Sequence, residues 1–279
     1  MPDSAGAEKG ANIPAEVRIE RLLIQDKKAR RVYIGYIALL VAAVLFSLWF
    51  TGVLDIDRIA TGVPAIGTLI GEMLPPDFSR WRDWIKPLAD TIAMSVAGTS
   101  IAVVLSIPLA LLAATKTSSY RIAGSVARGI LNILRAIPEL IMGIVFVAAV
   151  GFGMLSGVLA LGLHSVGMVG KFFAETIEHT QNEPIEAAVA TGASPLQVIT
   201  HAVLPQVLPQ FADITMYRWE YNFRASTVMG MVGAGGIGTE LIGSLRILDY
   251  PQVGAILLVI LLAVAIVDGL SHGLRKLLT

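Results

Sequence analysis

Long apolar runs, separated by short polar segments, dominate the pattern of the chain. The first uncharged run, Val32 to Val53, is long enough to cross about 30 Å of hydrocarbon as a helix. The later runs are interrupted by prolines and glycines, which membrane helices tolerate when neighbouring helices satisfy the freed backbone groups. They cover residues 91–115, 131–155, 155–175, 208–233 and 253–270. The pattern predicts an all-α membrane protein with about six transmembrane helices.

Composition supports a membrane protein. Hydrophobic residues make up 55% of the 279 positions and charged residues only 15%, whereas soluble domains usually carry about a quarter charged residues. The net charge of zero argues against a nucleic-acid partner. The absence of cysteine excludes disulfides, thiolate catalysis and zinc–thiolate sites.

The distribution of basic residues predicts the orientation. Residues 1–31 are a polar, basic tail, which we interpret either as an amphipathic surface helix or as a mobile topology anchor. Residues 32–279 form the predicted transmembrane domain. Six spans put both termini on one side, together with the basic loop 116–128. That side is expected to be cytoplasmic, because it collects 12 of the 21 Lys and Arg residues.

Residues 183–206 form a polar segment on the same side, although no Lys or Arg occurs between Lys171 and Arg218. A proline after Glu183 suits the first turn of a helix, and Gly192 suits its left-handed end. Ser194 followed by proline predicts the start of a second short helix. We therefore expect a helical projection that binds a protein rather than anionic lipid, since a lipid-binding surface would be basic.

This segment resembles the EAA loop of membrane subunits of bacterial binding-protein-dependent ABC importers. The matching positions are Glu186, Ala187, Ala188, Gly192, Leu204 and Pro205. One departure is Ala202, where the pattern usually has isoleucine or valine. The resemblance implies a type I importer fold, with coupling helices that dock into an ATP-hydrolysing subunit.

The following span resembles phosphonate-type permeases, which carry an R-x-E-x-N-x-R pattern and then a glycine-rich tail. Two earlier stretches, RAIPEL at residues 135–140 and LPPDF at residues 74–78, resemble further features of the same group. The positions concerned are Arg218, Glu220, Asn222 and Arg224, the glycines Gly233, Gly235, Gly236 and Gly238, and the upstream pair Arg135 and Glu139. The resemblance implies a cargo of phosphonate or a related phosphorus oxyanion such as phosphite, hypophosphite or phosphate.

Charged residues inside a membrane span are costly and need partners. Glu220 and Arg224 are four residues apart and can pair on one helix face, while Arg218 and Asn222 share another face. One interpretation is that an arginine lines the translocation pathway, because a guanidinium suits phosphorus oxyanions. The other is that Arg224 and Glu220, with Glu139 or Asp213, form a buried network that fixes packing.

Two further stretches are interpreted as structural. The motif GAGGIG at residues 233–238 satisfies a dinucleotide fingerprint but follows a membrane span and lacks the acid expected about 20 residues later. We expect a flexible or tightly packed turn into a short re-entrant helix instead. In the long 54–87 segment, Trp81 and Trp84 are expected at headgroup level, on a face that receives a substrate-loaded binding protein.

The sequence predicts a transport subunit and not an enzyme. No catalytic constellation, metal-ligand spacing or phosphate-binding G-x-x-x-x-G-K-[ST] motif is present, so ATP and Mg are expected on a partner ATPase. The resemblance implies two ATPase subunits, a substrate-binding protein and a second permease copy, in the bacterial inner membrane. The alternatives are an importer for an unrelated solute and an ion-coupled secondary transporter, although no convincing inverted repeat is present.

Overall fold

The computed structural model describes residues 15–118 and 120–278, with side chains from Arg30 to Lys276. Every regular element in these residues is helical. The helices are α1 Ala15–Phe50, α2 Ile56–Glu72, α3 Trp81–Ala113, α4 Arg121–Ala136, α5 Glu139–Val150, α6 Met154–Glu178, α7 Glu183–Ala190, α8 Pro195–Val198, α9 Leu204–Met229, α10 Ile237–Arg246 and α11 Tyr250–Leu278. A π-helical turn, Ile199–Val203, joins α8 to α9, and a 3₁₀ turn, Gly230–Val232, follows α9.

The chain divides into two compact units, residues 1–68 and 69–279. In the first unit, helix α1 runs without a break through both the basic segment and the first apolar run. The backbone of residues 15–31 is helical, while its amphipathic surface role stays a prediction, and the first 14 residues of the predicted tail lie outside the described residues. The apolar side chains of α1 from Val32 onwards are exposed, as a lipid-facing helix requires.

Helices α1, α3, α6 and α11 are each long and apolar enough to cross a membrane. Two further candidates are bent pairs: α4 with α5 at 89°, and the segment from Pro195 to Val232 with α10 at 44°. Counting each bent pair as one span gives six. The prediction of an all-α membrane fold is confirmed, and the span predicted over residues 131–155 is divided between α4 and α5. The chain breaks at Ile137 and Pro138, because a residue before proline is disfavoured in helical geometry.

The second unit is organised around the contact between α3 and α6. Glycines allow the two backbones to approach: a Cβ on Gly98 would lie 3.1 Å from the Leu161 Cβ, and one on Gly162 would lie 3.2 Å from the Ile101 Cγ2. Small residues at a crossing are the usual way for membrane helices to gain dispersion contact. This contact holds α6 in the middle of the unit, where it also meets α4, α5 and α9.

The expected position of Trp84 at a membrane interface is wrong. Its side chain is only 2% exposed and packs with Ile237, Ala255 and Ile256, so it belongs to the core. Trp81, one turn earlier, is 51% exposed. The 54–87 segment is mostly helical, since it contains α2 and the first turns of α3.

Candidate functional site

The EAA-like segment folds as two short helices joined by a left-handed glycine. Helix α7 begins at Glu183 with Pro184 in its first turn, and Gly192 has φ +82° after the helix end. At the start of α8, the Ser194 backbone N donates to the Gln197 Oε1 at 2.8 Å, which is half of a capping box. The local geometry predicted from proline, glycine and serine positions is therefore present.

Two hydrogen bonds and an apolar contact attach the base of this segment to neighbouring helices and loops. The Gln181 backbone N donates to the Gln206 Oε1 at 2.9 Å, so the residues before α7 are tied to the first turn of α9. The Lys116 Nζ donates to the Thr180 carbonyl, which adds a link to the loop after α3. Ile185 packs on the core cluster that includes Val203. The segment is thus attached to the helical core at its base.

The far side of the segment is exposed. Val189 and Leu196 are 58% and 70% exposed, and Glu186, Ala187 and Pro205 are also exposed. Ala188 is partly buried, while Leu204 begins α9 at 37% exposed. Ala202, the departure from the family pattern, is buried. Apolar side chains beside an acid, with no basic neighbour, make a surface suited to a protein partner.

Arg218 and Asn222 belong to a chain of buried hydrogen bonds across three helices. The Arg218 Nε donates to the Ser165 Oγ at 2.8 Å, and the Ser165 Oγ donates to the Asn222 Oδ1 at 2.9 Å. The Asn222 Nδ2 then donates to the Thr99 Oγ1 at 2.9 Å. The shared helix face predicted for Arg218 and Asn222 is confirmed, and it points into the protein.

A cavity of about 140 Å³ adjoins Arg218. The Arg218 Cζ lies 4.2 Å from the centroid of the Tyr221 ring, a cation–π arrangement. The Tyr221 Oη donates to the Glu139 Oε1 at 3.1 Å, and the His164 Nε2 lies 3.9 Å from the Glu139 Oε2. The other residues lining the cavity are Met168, Val169, Phe172, Ile214 and Tyr217. The cavity therefore combines one buried cation with aromatic walls.

The pair expected between Glu220 and Arg224 does not form. Glu220 pairs with Arg275, whose Nη1 is also 3.6 Å from the Asp213 Oδ1. The Arg224 Nη1 instead donates to the Asp268 Oδ1 at 3.1 Å. Glu220 and Arg224, which both lie on α9, each have a partner on α11, because α11 packs along α9. These links join helices rather than support a single helix.

Arg135 and Glu139 are likewise separate. Arg135 is exposed in the last turn of α4, and no ion pair between the two residues occurs in the described part of the chain. The break before α5 sends Glu139 towards Tyr221 instead. Glu139 therefore joins the Arg218 side of the protein, whereas Arg135 does not.

The glycine-rich stretch is a tightly packed turn, as expected. Gly233, Gly235 and Gly236 have φ of +92°, +86° and +80°, a region that favours glycine. A Cβ on Gly238 would lie 1.8 Å from the Thr227 carbonyl oxygen, so this glycine allows α10 to lie against α9. The short helix α10 then follows, and its re-entrant path in the membrane stays a prediction.

Sequence reasoning missed Ser165, Tyr221 and Arg275 as members of these networks. Ser165 and Tyr221 are ordinary side chains within apolar spans, and Arg275 lies in the basic last turn of α11. A polar side chain in the middle of a span is the signal that marks His164 and Ser165, since such groups need partners.

The fold agrees with comparisons to known proteins. Residues 106–278 match the family described as binding-protein-dependent transport system inner membrane component. The chain is 63% identical to the phosphite transport system permease protein PtxC of Stutzerimonas stutzeri over 87% of this chain and 88% of that protein. It is 37% identical to a putative phosphite transport system permease protein, HtxC, of the same species, over 94% of both chains. A solved structure of the MetNI methionine ABC transporter in inward-facing conformations aligns with a TM-score of 0.61 at 22% identity, covering 70% of this chain and 96% of that chain.

The chain therefore belongs to the family of inner membrane components of binding-protein-dependent transport systems. It is a multi-pass permease subunit of an ATP-driven importer, and ATP hydrolysis belongs to a separate subunit. Its partners include an ATPase and a substrate-binding protein. Family membership sets aside the secondary transporter that the sequence alone left open.

Proposed function

We propose that this permease imports phosphite or a closely related phosphorus oxyanion. The observation that carries the proposal is the 63% identity to a phosphite permease across nearly the whole of both chains. The buried guanidinium of Arg218 supports it, because arginine is the side chain best suited to phosphorus oxygens. In this proposal Arg218 and Asn222 serve the translocation pathway, while Glu220 and Arg224 hold α9 against α11.

Residues 183–206 are proposed as the contact with the ATPase. The support is the exposed patch of Val189, Leu196 and Glu186 at the far side of a segment whose base is tied to α9. In a small helical projection without basic charge, apolar side chains favour a protein socket over a lipid surface. This role implies that the segment, the 116–128 loop and both termini lie in the cytoplasm.

The complete importer is proposed to contain two permease subunits, two ATPase subunits and one binding protein. A second copy of this chain is the simplest partner, and a related permease is the alternative. Native mass spectrometry of the purified complex distinguishes the two, since a heterodimer gives two permease masses.

The test is ATP hydrolysis by the chain reconstituted in proteoliposomes with its genomically adjacent ATPase and binding protein. We expect phosphite-loaded binding protein to stimulate hydrolysis several-fold over unloaded protein, with hypophosphite, phosphate and methylphosphonate as the comparison set. Stimulation by none of these oxyanions in an assembled complex would overturn the substrate class. Failure of any ATPase to bind would overturn the coupling role of residues 183–206.

A further inference from the structure

Two buried polar atoms, one on Arg218 and one on Glu139, lack hydrogen-bond partners within the described residues. One is a donor, the Arg218 Nη2, and the other is an acceptor, the Glu139 Oε2. Arg218 as a whole residue is only 4% exposed. An unsatisfied buried donor or acceptor costs about 1–3 kcal/mol, and more when it is charged. A ligand that accepts a hydrogen bond from the Arg218 Nη2 and donates one to the Glu139 Oε2 would remove both costs.

His164 lies next to the unpartnered oxygen of Glu139, and its two ring nitrogens face different groups. Its Nδ1 lies 3.1 Å from the Ile137 carbonyl oxygen, which only accepts, so this nitrogen carries the hydrogen. In the neutral ring the Nε2 is then an acceptor, and it faces the Glu139 Oε2 at 3.9 Å. With a neutral imidazole and an ionised Glu139, two acceptors face each other with no hydrogen between them. The Ile137 carbonyl is available to His164 because the helix breaks before Pro138.

Glu139 and Arg218 each make a hydrogen bond through another of their side-chain atoms. Tyr221 donates to the other Glu139 oxygen, and Ser165 accepts from the Arg218 Nε. These bonds leave the Nη2 and the Oε2 as the groups with remaining capacity. Arg218 and His164 both line the cavity, and Glu139, which does not line it, lies beside His164 and Tyr221.

We propose that this cavity is a binding station for a singly protonated oxyanion, with Arg218 donating to an ionised oxygen and Glu139, beside His164, accepting the hydrogen of a hydroxyl on the same ligand. Hydrogen phosphite carries both groups on one phosphorus. Both atoms are covered in this conformation, so the ligand binds as the two side chains turn towards the cavity. The inference rests on the proposed function and adds a selectivity step within the membrane.

A fully ionised anion fits this station poorly. Sulfate has no hydroxyl hydrogen to offer Glu139, and the carboxylate repels it. Each unmade charge-assisted hydrogen bond corresponds to about tenfold or more in affinity. The station therefore binds hydrogen phosphite and rejects sulfate, although the two ions are alike in size.

The test uses the permease–ATPase complex in nanodiscs without the binding protein, so that selectivity of the binding protein does not enter. Phosphite binding is followed by saturation-transfer NMR on the hydrogen bonded directly to phosphorus, with sulfate as competitor. The pH is held constant, because the titratable residues His164, Tyr217 and Tyr221 also face the cavity.

In the wild-type complex we expect a phosphite signal that equal sulfate does not displace. Arg218→Gln should weaken phosphite binding by about tenfold or more, and Arg218→Lys should restore part of it. Glu139→Gln should lower the sulfate concentration needed for half-displacement by about tenfold, since an amide presents a donor to an ionised oxygen. Arg246→Gln and Asp90→Asn are matched controls, because neither residue lines this cavity; co-elution with the ATPase checks that each variant assembles.

The proposal is overturned if Glu139→Gln leaves the discrimination against sulfate unchanged in a complex that still binds its ATPase. It is also overturned if the wild-type complex gives no phosphite signal while it imports phosphite with its binding protein. Failure of import by the wild-type system in the presence of every phosphorus oxyanion counts instead against the proposed function.

Discussion

Arg218 on α9 donates a 2.8 Å hydrogen bond to Ser165 on α6, and this bond places a guanidinium beside a cavity within the helical core. Ser165 uses its own hydrogen for Asn222, so one hydroxyl serves two α9 side chains one turn apart. The face of α9 that carries Arg218 is therefore held in a fixed rotation relative to α6.

Replacing Ser165 with alanine should destabilise the protein. The change removes a donor to Asn222 and the acceptor for the Arg218 Nε, and leaves both buried groups unsatisfied. We expect a loss of about 1–2 kcal/mol in unfolding free energy, because hydrogen bonds between membrane helices average less than those in water-soluble cores. Denaturation in mixed SDS micelles measures it. Ser100→Ala is the control, since Ser100 is exposed and bonds only to its own helix; equal stabilities of the two variants would contradict the prediction.

Gly238→Ala should prevent α10 from packing. The new methyl group would lie 1.8 Å from the Thr227 carbonyl oxygen, and no flexible side chain there can move aside. We expect little folded protein by size-exclusion chromatography of the detergent extract. Gly243→Ala, in the same helix, meets nothing within 4 Å and should be tolerated, with a gain of up to about 1 kcal/mol from helix propensity. Normal yield of Gly238→Ala would show that the turn is looser than described.

Trp84→Ala should be far more damaging than Trp81→Ala. Trp84 is almost fully buried against α10 and α11, whereas Trp81 is half exposed. Truncating a buried aromatic side chain costs about 3–5 kcal/mol. Thermal unfolding followed by intrinsic fluorescence compares the two variants at matched detergent concentration. A similar midpoint for both would return Trp84 to the interfacial position expected from the sequence.

Glu186→Arg should impair coupling without impairing folding. Glu186 is exposed on the proposed docking surface, so reversing its charge does not disturb the core. We expect capture of the ATPase by the detergent-solubilised permease to fall about tenfold, together with transport-dependent hydrolysis. Glu72→Arg, an exposed acid outside the segment, should leave capture unchanged. Undiminished capture by Glu186→Arg would count against residues 183–206 as the contact.

The elements that the sequence predicted well are those encoded locally. The two helices at 183–206 follow from Pro184, Gly192 and Ser194, each of which acts on its own backbone or its near neighbours. The shared face of Arg218 and Asn222 follows from helical periodicity alone. The glycine turn follows from three positions that favour positive φ.

The partners of intramembrane charges were not predictable in the same way. Glu220 and Arg224 are four residues apart, which favours a local pair, yet their partners are Arg275 and Asp268 on α11. Such partners depend on which helices become neighbours, and the apolar pattern of a membrane span carries little of that information. The angle between α4 and α5 is also a tertiary property: Pro138 marks a break but does not specify 89°.

The Gln181–Gln206 bond has a mechanical consequence. It ties the residues just before α7 to the first turn of α9. A displacement of the 183–206 segment therefore reaches the adjoining ends of α6 and α9 together. From Leu204 to Arg218, at 1.5 Å per residue, α9 forms a lever arm of about 21 Å. The same two helices carry His164 and Arg218, which both line one cavity, so under the proposed coupling role a movement of the segment reaches that cavity through both helices.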